Sequence, residues 1–450
     1  MIPLAFVVLI ALVLVARGGD VPSVWPMAWA VMGAIVILHL QRLAWRERYL
    51  LGLSTAIAVL VWAIDPDPAE NLKAALNQGA FLMAFVIVLG LLREAAVRSS
   101  SVAELGSYLT QQPTGRRYAA LYFGTGFMQV LFNIGVVSFL IPLIQRGIER
   151  ARPNDALNPI REQRQISAMQ RGFAWGVAWS PTALAPLALF ELLPDVNRLA
   201  WIGMGLVVFC IMFVLGWADD AFRFRSYRPA LKIVPPDFPR KAAIGFLGTC
   251  ACLLGLAEGV AFALDETIVF GLLVACPVVM IGWIYMQFGR ADAGNELRDI
   301  YTIHMGQSGN LAILLACSGF MGRAAGILVP SDDLAHALNL YSMPDWVLLS
   351  GLPIALCAFS AFGFSPIMMA IFFGSLFGGM TELPADVTLI ALAISCGWGL
   401  SMTSSPFATV ILMINRLGNV PMLHLTMKWN LTFNILSVVG LIGIFYYLAR

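Results

Sequence analysis

The chain has 450 residues, 59% of them hydrophobic and 12% charged, with a mean hydropathy of +0.81; a soluble globular domain carries about 25% charged residues, so that class is excluded. A net charge of +2 supplies no basic field for a nucleic-acid partner. The seven cysteines all fall in apolar segments, and Cys250-Ala-Cys252 has neither ligand spacing nor a nearby histidine, so they read as small buried hydrophobes rather than metal ligands.

Apolar spans of crossing length are expected at 2–16, 21–41, 48–64 and 76–97. The first lacks the basic n-region of a signal peptide and is expected to be retained, as an extra N-terminal helix within 1–20. Residues 99–112 predict a polar, interfacial helix. An apolar block follows at 117–146, then an interrupted helix at 168–193 and a span at 197–217. The basic stretch 221–241 is the only substantial linker and marks the midpoint. Beyond it come spans at 242–263, 266–288 and 303–328, a short polar helix at 331–341 and a second apolar block at 344–380. A second interrupted helix at 386–414 and a last span at 423–448 end an all-α polytopic membrane protein.

The two long blocks decide the expected topology. Block 117–146 has arginines at both ends (Arg116, Arg117, Arg146, Arg150, Arg152), whereas block 344–380 is flanked by Asp345, Glu382 and Asp386. Each therefore reads as a re-entrant hairpin, the two entering from opposite faces. About eleven helices then cross, with a cytoplasmic N-terminus. All but five of the 28 Lys and Arg (Arg17, Lys73, Arg198, Arg323 and Arg450) fall on the cytoplasmic face, as the positive-inside rule requires.

An internal repeat supports this division. Gln78–Leu109 aligns without gaps on Gln307–Leu338, with seven identities in 32 positions, including Gly90/Gly319, Ala95-Ala96/Ala324-Ala325 and Leu105/Leu334. Phe127 and Phe132 of the first hairpin register with Phe359 and Phe364 of the second. Two inverted repeats are expected, 21–220 and 242–450, each with a hairpin and a broken helix, an architecture of secondary transporters.

The broken helices carry the polar residues. Residues 171–190 contain Trp175-Gly176 and Ser180-Pro181-Thr182; residues 394–413 contain Trp398-Gly399, Ser401, Thr403, Ser404 and Ser405-Pro406. Proline removes a donor and clashes with the preceding turn, so each helix should unwind there. The hairpin tips are expected near Leu131–Gly135 and near Phe362–Pro366, and pairing each tip with its own break sets Asn133 beside Ser180, Pro181 and Thr182, and Ser365 beside Ser401–Ser405. Asn133, Gly135, Ser180, Thr182, Ser365, Thr403, Ser404 and Ser405 are the expected substrate ligands. Asn133, Gly176, Ser180, Ser365, Gly399, Ser401 and Thr403 are the expected cation ligands. Half-helix N-termini suit an anion, and unwound carbonyls and hydroxyls suit Na⁺. Serines and threonines also pack membrane helices without binding anything, while an amide inside an apolar tip is costly unless used, which singles out Asn133. Few acids appear buried, which disfavours direct proton coupling.

This order of elements resembles the divalent-anion/sodium symporters of the ion-transporter superfamily over essentially the whole chain. At the tips, where those symporters carry Ser-Asn-Thr, the chain reads Phe132-Asn133-Ile134 and Phe364-Ser365-Pro366, so Asn133 and Ser365 keep the matching positions while the neighbouring hydroxyls are replaced. The resemblance implies an elevator-type carrier, a homodimer in the cell (inner) membrane, moving a small, carboxylate-like solute with Na⁺ as coupling ion and no other cofactor. Three other readings stand beside it: an exporter or uniporter of a more apolar solute, an integral-membrane enzyme acting on lipid-linked substrate, and a non-transporting receptor.

Overall fold

The computed structural model describes residues 2–43, 45–227 and 236–450, without the side chains of Arg46, Thr114 and Gln307. Two cations of the expected linker, Arg228 and Lys232, lie outside the described residues. Helices α1 (Ile2–Gly18), α2 (Trp25–His39), α3 (Trp45–Ile64) and α4 (Pro68–Val97) open the chain. The short α5 (Ser100–Thr110) precedes α6 (Thr114–Phe132) and α7 (Gly135–Ala151), which meet at a two-residue turn, Asn133-Ile134. Helices α8 (Asn158–Gly176) and α9 (Leu184–Leu192) flank the first interruption, and α10 (Arg198–Arg223) closes the half.

The second half follows the same plan. It begins with α11 (Arg240–Leu264), α12 (Ile268–Asp299), the single turn α13 (Met305–Gln307), α14 (Gly309–Leu328) and α15 (Ser331–Ala337). Then come α16 (Asp345–Ala361) and α17 (Pro366–Gly378), α18 (Val387–Ser404) and α19 (Thr409–Gly418) around the second interruption, and α20 (Leu431–Leu448). Among the described residues there is no strand. Two π-helical segments, Ile300–His304 and His424–Trp429, lie at the starts of the spans expected at 303–328 and 423–448.

Nine described helices are long and apolar enough to cross a membrane. Eleven crossings were expected, and the two outside this set have definite reasons. Helix α1 has 17 residues, at the short end of the roughly 17–25 that cross a bilayer. The first broken helix is split into α8 and α9, and α8 carries Arg161, Glu162, Arg164 and Arg171.

The chain forms two compact units, each drawn from both halves of the sequence. The first comprises Met1–Ser99, Ile244–Pro330 and Ile371–Gly379. Its centre is the pair α4 and α14, the helices that carry the repeat. A Cβ at Gly79 would stand 3.1 Å from the Ala316 carbonyl oxygen, one at Gly319 3.3 Å from the Gln78 carbonyl oxygen, and one at Gly90 3.6 Å from Ser308 Oγ. As α4 advances from 79 to 90, its neighbours on α14 retreat from 316 to 308, so the pair is antiparallel. Repeat alignment matches Gly79 to Ser308 and Gly90 to Gly319, so exchanging the helices maps the Gly90–Ser308 contact onto that of Gly319 with Gln78 to within one residue. Small residues at both crossings let the backbones approach.

The second unit comprises Ser100–Ala243, Ser331–Ala370 and Met380–Arg450, and holds both broken helices. Here too a two-fold relation recurs. Gly172 lies where any side chain would collide with the Tyr122 backbone of α6, and Gly397 where a Cβ would stand 2.9 Å from Pro353 Cα of α16. The 225-residue spacing of these glycines equals that of Ser180 and Ser405. Each broken helix thus seats a glycine on the first helix of its own hairpin.

Among the described residues three carboxylates are buried, where a near-absence was expected: Glu94 in the first unit, Asp219 and Asp220 in the second. All three are paired. Glu94 meets Arg93 (2.6 Å), Arg98 (3.0 Å) and His304 Nδ1 (2.9 Å). Asp220 holds Arg164 in a two-pronged bridge (2.6 and 3.1 Å), and Asp219 holds Arg171 (2.7 Å). A buried carboxylate survives only when its charge is compensated in this way.

Candidate functional site

In the first half, hairpin tip and break are joined as the sequence pairing expected. Asn133 Nδ2 donates to the Thr182 carbonyl (3.1 Å), and Thr182 Oγ1 donates to the Val130 carbonyl (2.8 Å) in the last turn of α6. Asn133 Oδ1 accepts from the Ile134 N–H (2.8 Å), which serves the uncapped start of α7. Asn133 itself has φ 47° and ψ −135°, a conformation that costs about 1–3 kcal/mol for a non-glycine residue. Ser180 Oγ lies 3.4 Å from Thr182 Oγ1, both fully buried. Gly135 is buried as the first residue of α7, and its carbonyl takes the Ser138 hydroxyl (2.9 Å). The groups so gathered are carbonyls, one amide and two hydroxyls at the meeting of four helix ends.

The second half repeats the tie with different partners. Ser405 Oγ donates to the Ser360 carbonyl (2.7 Å) in the last turn of α16, and accepts from Phe407 N–H (3.2 Å). Ser404 Oγ lies 2.9 Å from Cys357 Sγ. In both halves a hydroxyl from the break therefore donates to a carbonyl in the last turn of the hairpin's first helix, where few intrahelical partners remain; the Ser360 carbonyl also takes the Gly363 N–H (3.1 Å). Ser365 is buried, and its carbonyl accepts the first helical bond of α17 from Met369 (3.1 Å). Among the described residues no hydrogen bond joins Ser365 to 401–405; the link runs through Cys357 and Ser360 instead.

The remaining hydroxyls are turned inward. Ser401 Oγ bonds the Gly397 carbonyl (2.8 Å), Thr403 Oγ1 the Leu400 carbonyl (3.0 Å) and Ser404 Oγ the same carbonyl (2.7 Å). Back-bonding of this kind uses the hydroxyl proton and leaves oxygen lone pairs. The cluster thereby suits a cation better than an anion.

Helices α8 and α18 lie against each other. A Cβ at Gly399 would stand 2.8 Å from the Ala174 carbonyl oxygen, and Gln170 Nε2 donates to the Met402 carbonyl (3.0 Å). Moving forward on α8 means moving back on α18, so they are antiparallel. With Ala174 opposite Gly399, Gly176 faces the level of Gly397, and Ser404 lies seven residues farther on. At 1.5 Å per residue the two interruptions are about 10 Å apart along the pair. Trp175 and Trp398 occupy this overlap, and both are buried.

Four buried donors around the breaks have no acceptor among the described residues: Nε1 of Trp175, Trp179 and Trp398, and Nε2 of Gln129, which faces Gly176 so closely that no side chain could stand there. Gln129 was not among the expected ligands. A polar amide within an apolar block was the signal available for it, the same signal that singled out Asn133.

A polar network behind the second break was also not expected. Arg171, counted in the sequence as a cytoplasmic-face cation, sits well inside α8 and is fully buried. Its guanidinium donates to Asp219 (2.7 Å), Asn430 Oδ1 (2.9 Å) and the carbonyls of Gly216 and Trp429 (3.2 Å each), and it lies over the Phe433 ring. Asn430 Nδ2 donates onward to Gln170 Oε1 (3.1 Å). Gln170 and Asn434 then cap the Met402 and Thr403 carbonyls at the end of α18. The expectation failed because α8 begins ten residues before the apolar segment does.

No protein-family model matches the chain, and no curated protein matches it. Among solved structures it is similar to the YdaH transporter of Alcanivorax borkumensis, described as having an unusual topology. The TM-score is 0.52 at 16% identity, over 92% of this chain and 98% of that one. The likeness shows a polytopic membrane-transporter fold. It does not single out the divalent-anion/sodium symporters.

Proposed function

We propose that this protein is a secondary active transporter that moves a small, anionic, carboxylate-like solute, coupled to Na⁺, by an elevator motion. The observation that carries this reading is the duplicated tie between hairpin and broken helix, with two classes of polar group left over. Lone pairs on Ser401, Thr403 and Ser404 and the unwound carbonyls form oxygen-rich surroundings for a hard cation. The acceptor-less N–H groups of Gln129, Trp175, Trp179 and Trp398, with the uncapped N-termini of α7, α9 and α19, suit the oxygens of an anion. The transporter-fold likeness supports transport in general. Residence in the cell (inner) membrane, a cytoplasmic N-terminus and a homodimer belong to the same proposal.

Uptake of radiolabelled carboxylates into proteoliposomes, with and without an inward Na⁺ gradient, tests the reading. Accumulation only with the gradient is expected, and gradient-independent uptake would end the coupling claim. A second reading, an exporter or uniporter of a more apolar solute, draws on the aromatic lining beside the first break, where Phe127 packs edge-on against Trp179 at 5.3 Å. Transport of neutral aromatic compounds in place of carboxylates would favour it.

A further inference from the structure

Away from the two helix interruptions, the second unit contains a small, solvent-open cleft of about 30 Å³, between the start of α6, the first half of α8 and the end of α10. Three guanidiniums line it: Arg117, Arg161 and Arg164. Two of them have carboxylate partners. Arg164 is bridged by Asp220, which also lines the cleft, and Arg161 pairs with Asp155 (2.8 Å) while donating to Asn158 Oδ1 (2.6 Å). Arg117 differs. It is half-buried, its Nε donates to the Gln112 carbonyl (2.7 Å), and among the described residues no ion pair includes it.

Gln165 lines the same cleft, is 2% exposed, and its Oε1 has no hydrogen-bond partner. Rotating the amide turns an NH₂ donor to that position. Holding a third cation beside two others in a half-buried cleft is unfavourable unless an anion joins them. A guanidinium fork with a neighbouring amide matches the oxygens of a phosphate group. Basic pockets between membrane helices bind phosphate-bearing headgroups on these terms.

We infer that this cleft is a binding site for a phosphate group, with Arg117 as its principal ligand, Gln165 as second donor, and Arg161 and Arg164 supplying positive field. The group is either the phosphodiester of an anionic lipid or a free phosphate. The site is separate from the hairpin ties and independent of the solute transported.

The full-length protein distinguishes the sources. Thermal unfolding is followed in nanodiscs of phosphatidylcholine with and without phosphatidylglycerol, and in detergent titrated with inorganic phosphate. Stabilisation by phosphatidylglycerol that Arg117→Gln weakens about tenfold in apparent affinity assigns the lipid headgroup; the same pattern with inorganic phosphate assigns the free anion. Arg116→Gln removes an equal charge from the adjacent, exposed position and should leave the response intact. Gln165→Leu keeps every guanidinium and should weaken the response less than Arg117→Gln, which keeps the test readable should the Arg117 variant fold poorly. Equal losses in Arg116→Gln and Arg117→Gln, or a Gln165→Leu response identical to the parent where the Arg117 variant does not fold, would overturn the site. So would the absence of any response to either phosphate source.

Discussion

Asn133 unites strain and recognition in one residue. Its backbone lies where glycine is at ease, and its amide holds the Thr182 carbonyl. The two contributions separate by substitution. Asn133→Gly removes the amide while relieving the backbone, so the fold should persist, stabilised or nearly unchanged, while uptake falls at least tenfold. Asn133→Ala keeps the strain, loses the amide and should be less stable than the glycine variant by about 1 kcal/mol or more. Parallel thermal melts and uptake assays check both; equal stability of the two variants would show that the backbone angle is of no consequence. Arg171 poses the opposite case, a buried cation whose purpose is placement. Arg171→Met leaves Asp219 buried without its principal partner and should cost about 3–5 kcal/mol, whereas Arg171→Met with Asp219→Leu should recover most of that. Chemical denaturation in detergent would show whether the double variant is rescued.

Elements enter through their ends. Helices α6 and α16 each finish on a carbonyl satisfied by a hydroxyl from a neighbouring break: Val130 by Thr182, Ser360 by Ser405. Ser405→Ala leaves the Phe407 N–H without its partner and removes one donor from the Ser360 carbonyl, which keeps the Gly363 N–H, and should cost about 1 kcal/mol. Hydrogen exchange should then quicken at the end of α16 and the start of α19 while α4 and α14 keep their rates; uniform quickening would mean that the tie is not local. The α7–α8 connection supplies a pH-dependent example. Asp155 accepts from the Leu157 N–H (2.9 Å) and from Arg161, and these bonds hold its carboxyl below the usual carboxylate value. Because the folded value is the lower one, this clasp contributes fully above about pH 4 and is lost as pH falls through the depressed value. Exchange in the first turn of α8 should therefore rise only in that acid range, and Asp155→Asn should abolish the pH dependence.

For the whole molecule, each compact unit takes elements from both repeats, and the broken helices and hairpin tips belong to the second. An elevator mechanism needs those tips to face the two aqueous sides in turn. A Ser365→Cys variant in a background freed of the seven native cysteines should react with membrane-impermeant maleimide from either side, with the balance shifted by Na⁺. Labelling from one side only, whatever the ion, would count against alternating access.

Much of this architecture was legible in the residues themselves. The apolar spans follow from hydropathy, the two breaks from Ser180-Pro181 and Ser405-Pro406, and the repeat from Gly90 and Gly319, because chain chemistry of this kind acts over a few neighbouring positions. The Asn133–Thr182 pairing was also anticipated, since a tip and a break with matching polarity had few other partners. Only the tertiary structure decided that Ser360 and Cys357, not Ser365, meet the second break, that Gln129 faces Gly176, and that Arg171 is a buried strut instead of a surface charge. Those outcomes depend on which helices pack side by side and on how far a helix extends beyond its apolar stretch. Local composition does not encode either: the same arginine reads as a surface cation in sequence and becomes a core residue once Asp219 and Asn430 are brought to it.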